Sequence, residues 1–208
     1  MAEPLITWLE KFSGAKLDDS DKELVTELAA TSERFPTQLY QWVGHTLRLA
    51  EELADGSLDE NVVSLFWIRL WGVFEEIIPW LQKLANHLPG ADGGFLDRFH
   101  KLKALLSDEE LIFAEYLRQS QVHLAPRMID VKPTGKNKVT GTFQKADTTY
   151  KGRSIYELRK CIDAIWTKAE TSAVRPEETE AYTAREVARK ICQPLKAIYD
   201  DMWFWIHA

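Results

Sequence analysis

The sequence predicts an all-α fold, a helical bundle with a short basic β-hairpin or extended insertion, and three observations carry that class. Apolar residues recur at three- and four-residue spacing through most of the chain. Capping residues, prolines and glycines punctuate the pattern at intervals of ordinary helix length. Only one stretch, residues 127–153, is rich in the β-branched residues and turn chemistry of extended backbone.

Bulk properties set the outer bounds. At 208 residues the chain can bury a sizeable core, and residues 1–208 read as a single helical domain with its insertion at about 127–153. A composition 45% hydrophobic and 28% charged is too apolar for disorder. The net charge of −6 excludes a protein that coats nucleic acid with its whole surface. Cys161 and Cys192 fit neither a metal-ligand spacing nor a secreted disulfide framework, which points to the reducing cytoplasm. The opening MAEPLITWLEKF lacks a basic region followed by a long apolar run, so no signal peptide is visible.

Each element has its own chemical boundary. Leu5, Trp8 and Leu9 place a short helix at about 4–12. Ser20 or Asp21 is expected to cap a helix running to about Phe35. Pro36 restarts the chain, and Leu39, Trp42, Val43, Thr46, Leu49, Ala50 and Leu53 mark a helix to about Asp55 that Gly56 ends. Ser57 and Glu60 form a capping box for the next.

Residues 61–84 are the most apolar segment. Arg69, Glu75, Glu76 and Pro79 interrupt it too often for a membrane span, so a central buried helix is expected, surrounded by others or shared with a second subunit. Glu75 and Glu76 are expected at a solvent seam. After the loop HLPGADGG, residues 94–106 form a short helix leading into the next one. Eight tryptophans lie almost wholly within these helical patterns, where core packing explains them.

Ser107 and Glu110 then form another capping box, opening a helix at about Asp108. Pro126 sets its far limit, because proline disfavours helical geometry at Ala125 and cannot donate to the helix ladder. Arg118 and His123 fall in the last two turns, spaced R-x4-H.

Residues 127–153 follow. Val131, Val139, Thr140, Thr142, Phe143 and Tyr150 favour extended backbone, with PTGKN as turn chemistry. Seven Lys/Arg against Asp130 and Asp147 give the segment a net +5, and the remainder of the chain carries −11. A basic arm on an acidic body is an electrostatic footprint for a polyanion. Arg127, Lys132, Lys136, Lys138 and Lys145 are the expected nucleic-acid contacts. The alternative is a solvated hairpin whose lysines only discourage edge-to-edge pairing. Ser154 and Glu157 cap a helix to about Ala169 with Ile155, Leu158, Ile162, Ile165 and Trp166 inward. Pro176 fits the first turn of a final long helix, with Pro194 as a kink.

RNA cleavage by internal attack of the 2′-hydroxyl needs a group that moves protons and a fixed positive charge on the phosphate. Histidine suits the first task, since its ordinary pKa lies near neutrality. Arginine suits the second, being permanently charged and able to grip a phosphate through two N–H bonds. Composition alone predicts roughly 0.8 R-x4–6-H matches in such a chain, so the spacing gains its weight from context. In an unbroken helix, residues five apart lie about 140° apart around the axis. One helix therefore cannot aim Arg118 and His123 at the same phosphate. Either the helix unwinds before Pro126, or two copies complete the site across a homodimer.

The stretch LRQSQVHLAP, followed by an irregular segment and SIYELRKCIDAIW, resembles the HEPN family of small helical-bundle ribonucleases and nucleotide-binding relatives in toxin–antitoxin, CRISPR and other antiphage systems. The resemblance covers about residues 60–170. It implies a metal-independent endoribonuclease in which Arg118 and His123 are catalytic and two motifs face each other in a dimer. After the arginine, where that family usually has Asn, Asp or His, this chain has Gln119, which keeps the capacity to hydrogen-bond. An antitoxin or defence-complex subunit is the kind of protein partner implied.

His45, His87, His100 and His207 make no HxxxH, HExxH or Cys/His pattern, so no metal site is expected. No glycine-rich phosphate loop or nucleophile elbow appears, and no cofactor is expected. The alternative to an RNase is a non-enzymatic helical adaptor or regulator that binds a protein or RNA partner through the basic arm.

Overall fold

The computed structural model describes residues 6–7, 10, 16–30, 37–56, 59–87, 90, 92–122, 129–133, 139–143, 149–150 and 153–207; the side chains of residues 24, 27–30, 37–38, 87, 118–156 and 204–207 lie outside that description. Among the described residues the chain is built on helices: α1 (Asp19–Ala30), α2 (Thr37–Ala54), α3 (Glu60–Gly72), α4 (Ile78–His87), α5 (Phe95–Lys103), α6 (Asp108–Val122), α7 (Ile155–Thr171) and α8 (Thr179–His207). Ile6, Thr7 and Glu10 are also helical, and the rest of the helix expected at 4–12 lies outside the described residues.

Two of the expected caps move. The first is Asp18, whose Oδ1 accepts from the Asp21 N–H at 2.8 Å, so neither Ser20 nor Asp21 starts α1. Buried Leu17 fixes that entry, its N–H donating to Glu10 Oε1 at 3.0 Å. The second is Asp59, whose Oδ1 accepts from the Asn61 N–H at 2.7 Å and begins α3; Ser57 lies outside the described residues. Gly56 does end α2, with φ of +108° and its N–H bonded to the Leu53 carbonyl at 3.0 Å.

The apolar segment 61–84 is not one regular helix. Val73–Ile77 forms a π-helical turn between α3 and α4, in which the Ile78 N–H reaches the Val73 carbonyl five residues back. Pro79 supplies the physical reason. It has no N–H to return to residue 75, and its ring crowds that carbonyl, so the turn widens. Leu65 apart, the large apolar side chains of this stretch are buried or half-buried within the chain. Glu76 is exposed and Glu75 is half-buried, 3.9 Å from Lys103 Nζ.

The chain groups into two compact units. One comprises Met1–Leu47, Gly72–Lys103 and Gln193–Ala208. Its core includes Leu17, Val25, Val43, Val73, Phe74, Leu81, Phe99, Leu102, Leu195 and Met202. Glycine permits two close approaches here. A Cβ at Gly72 would run into the Trp42 indole, and one at Gly44 into the Tyr199 ring. Tyr199 stacks on Tyr40 with centroids 4.4 Å apart and planes 12° apart, and Trp203 lies 5.9 Å from Tyr40. Arg98 pairs with Asp201, tying α5 to the last turns of α8.

The other unit comprises Arg48–Trp71 and Ala104–Cys192. Its core includes Leu53, Phe66, Trp67, Leu70, Phe113, Leu117, Ile162, Ile165, Val187 and Ile191. Trp67 meets Phe113 edge to face, with centroids 6.2 Å apart at 85°. Helix α7 runs two residues past its expected end. It closes with the Val174 N–H on the Ala169 carbonyl and the Ala173 N–H on the Glu170 carbonyl, Ala173 taking φ of +57°. Pro176 opens a 3-10 turn, Pro176–Glu178, that leads directly into α8. Between α6 and α7, the backbone of Ile129–Pro133 runs antiparallel to Val139–Phe143, with Lys132 opposite Thr140. The connection through 134–138 lies outside the described residues.

Candidate functional site

The second unit holds the helix on which the sequence concentrates its chemistry. The Ser107–Glu110 capping box forms reciprocally. The Ser107 N–H donates to Glu110 Oε2 at 3.0 Å, and the Glu110 N–H donates to Ser107 Oγ at 3.3 Å. From that start, α6 buries Phe113, Ala114 and Leu117 along one stripe, with Glu115 also buried.

Glu110 does more than cap. Its side chain is 2% exposed, and Lys190 Nζ donates to both carboxylate oxygens, at 2.6 and 2.8 Å. Lys168 Nζ approaches the same carboxylate at 3.8 Å. One buried negative charge therefore joins α6 to α7, which carries Lys168, and to α8, which carries Lys190. The sequence exposed half of this arrangement, because the capping box is local. Lys190 is 80 residues away from Glu110, and no periodicity links the two.

The expected site residues occupy the far end of α6. Arg118 and Gln119 belong to the last described turns of α6, Asp108–Val122. Their side chains, and the whole of His123, lie outside the described residues. The same holds for Arg127, Lys136, Lys138 and Lys145, and for the side chain of Lys132.

Elsewhere in this unit a cleft of about 530 Å³ is lined by Glu60, Val63, Ser64, Glu177, Glu178, Glu180 and Ala181. Arg175 lies beside it, hydrogen-bonded to Glu178 and 3.4 Å from Glu177. That hydrogen bond holds the Glu178 carboxyl below its ordinary range and raises the guanidinium. Among the described residues no group of three or more His, Cys, Asp or Glu is placed to hold a metal ion. No helix of the described residues is long and apolar enough to cross a membrane. No protein-family model, curated protein or solved structure matches the chain.

Proposed function

We propose that the chain is a metal-independent endoribonuclease of HEPN type, acting in the cytoplasm as a homodimer within a bacterial defence or toxin system. One observation carries the reading. Arg118 rides on the last turns of a helix whose first turn is locked by a reciprocal cap and by a buried, doubly ion-paired glutamate. A phosphate clamp has to be held rigidly to be useful, and the anchoring of the first turn of α6 supports that reading. Arg118 grips the scissile phosphate, and His123 moves the proton lost by the attacking 2′-hydroxyl towards the departing 5′-oxygen. Gln119 contributes a hydrogen bond to the same phosphate.

The homodimer rests on the 140° separation of Arg118 and His123 in an unbroken helix. The apolar segment 61–84 no longer argues for it, because that segment is largely buried within the chain itself. Residues 127–153 are the basic hairpin that tracks the RNA backbone through Arg127, Lys132, Lys136, Lys138 and Lys145. An antitoxin or defence-complex subunit is the partner this reading implies.

Purified protein incubated with single-stranded RNA in EDTA tests the proposal. The wild type should cleave, and Arg118→Ala should lose about 3–4 kcal/mol of transition-state stabilisation, a few hundredfold in rate. Equal cleavage by the wild type, Arg118→Ala and His123→Ala would end the nuclease reading and leave the adaptor.

A further inference from the structure

The ion cluster on Glu110 has features that helix stability alone does not require. A capping glutamate is ordinarily solvated, and its reach back to Ser107 suffices for the cap. Here the carboxylate is 2% exposed and takes the Lys190 ammonium on both oxygens, with Lys168 3.8 Å away. The apolar stripe that continues from it along α6 is Phe113, Ala114 and Leu117, with Glu115 buried beside it. Apolar contacts have no direction of their own, and a core made only of such side chains loses its unique arrangement before it loses stability. Replacing a buried ion pair with apolar groups is often neutral or stabilising, so such pairs are poor evidence of added stability. Their best-attested use is to fix register.

We propose that Glu110 is a positioning residue. Its pairing with Lys190 and Lys168 sets the rotation and register of α6 against α7 and α8, and so the direction in which Arg118 is presented. Arg118 lies eight residues on, about 12 Å along the axis and about 80° around it from Glu110. A rotation of α6 that left its apolar stripe covered would still swing the guanidinium away from a bound phosphate. The inference rests on Arg118 being the working arginine, and its test separates the two claims.

The test is the double variant Glu110→Met with Lys190→Met, which removes the pair and keeps apolar volume. The variant should melt within a few degrees of the wild type. In amide NMR spectra, residues 111–122 should give several or broadened sets of resonances where the wild type gives one. RNA cleavage should fall by about tenfold to a hundredfold, the loss expected when a reacting group shifts by about 1 Å. A single sharp set of resonances at wild-type positions would overturn the proposal, as would undiminished cleavage. If the wild type cleaves no RNA, the nuclease reading falls, and the amide spectra still decide the register claim. Should the double variant fail to fold, Glu110→Gln, which keeps the shape and drops the charge, is read by the same spectra.

Discussion

Tyr40 carries the most sharply perturbed proton described in the chain. Desolvation, followed by the hydrogen bond its hydroxyl donates to the neighbouring Tyr199, pushes its pKa up to about 12. A phenol raised above its unfolded value stabilises the fold fully below about pH 10, and that contribution fades as pH rises towards 12. Tyrosinate absorbance should therefore show one of the six tyrosines ionising late, and Tyr199→Phe should bring it back towards the others. Simultaneous ionisation of all six in the folded protein would contradict the stacked geometry. Gly72, like Gly44, is a residue whose identity is dictated by a neighbour. Gly72→Ala should destabilise the protein by about 1–3 kcal/mol, because its methyl group meets the Trp42 ring where the helix backbone cannot retreat. A melting temperature at the wild-type value would show that the indole moves freely.

At the scale of elements, local chemistry was legible and long-range chemistry was not. The Ser107–Glu110 box could be read because its two hydrogen bonds span three residues. The cap of α1 was harder, since Asp18, Asp19, Ser20 and Asp21 are all plausible caps. Burial of Leu17 chooses among them, and burial is a tertiary fact. The π-helical turn at Val73–Ile77 also escaped the pattern. Pro79 announces a disturbance, but whether the helix kinks, breaks or widens depends on what packs around it. The end of α7 gives a sharp test of the local reasoning. Ala173 sits where a Schellman motif prefers glycine, at φ of +57°. Ala173→Gly should stabilise by about 0.5–1 kcal/mol, the cost of left-handed alanine less the added freedom of glycine in the unfolded chain. A lower melting temperature would mean the Ala173 methyl makes a contact worth more than the strain.

For the molecule as a whole, hydrophobic periodicity was enough to give the helical class, because an amphipathic stripe must be covered whatever covers it. Periodicity carries no information on which helices share a charge, so the Glu110–Lys190 pair was invisible until the helices were assembled. The candidate site was legible only as residue types: Arg118 and Gln119 fall on α6 as expected, while His123 and, the backbone of Lys132 apart, the arm lysines lie outside the described residues. Charge still makes a prediction there. The +5 of residues 127–153 against −11 elsewhere means RNA binding should be steeply salt-dependent. Removing Lys132, Lys136 and Lys138 together should flatten the slope of log K against log salt by about 2, on the single-strand coefficient of roughly 0.7 per phosphate contact. An unchanged slope would reduce the arm to a solvated hairpin.

The central claim is that a 2′-hydroxyl of RNA attacks its own phosphate between Arg118 and His123. It is tested most directly by one cleavage measurement on paired oligonucleotides in EDTA, one all-ribose and one 2′-deoxy throughout, with wild type and His123→Ala. The wild type should cut only the ribose strand, leaving 5′-hydroxyl ends, and His123→Ala should cut it at least about a hundredfold more slowly. Cleavage of the deoxy strand at a similar rate, or an undiminished rate with His123→Ala, would contradict the account.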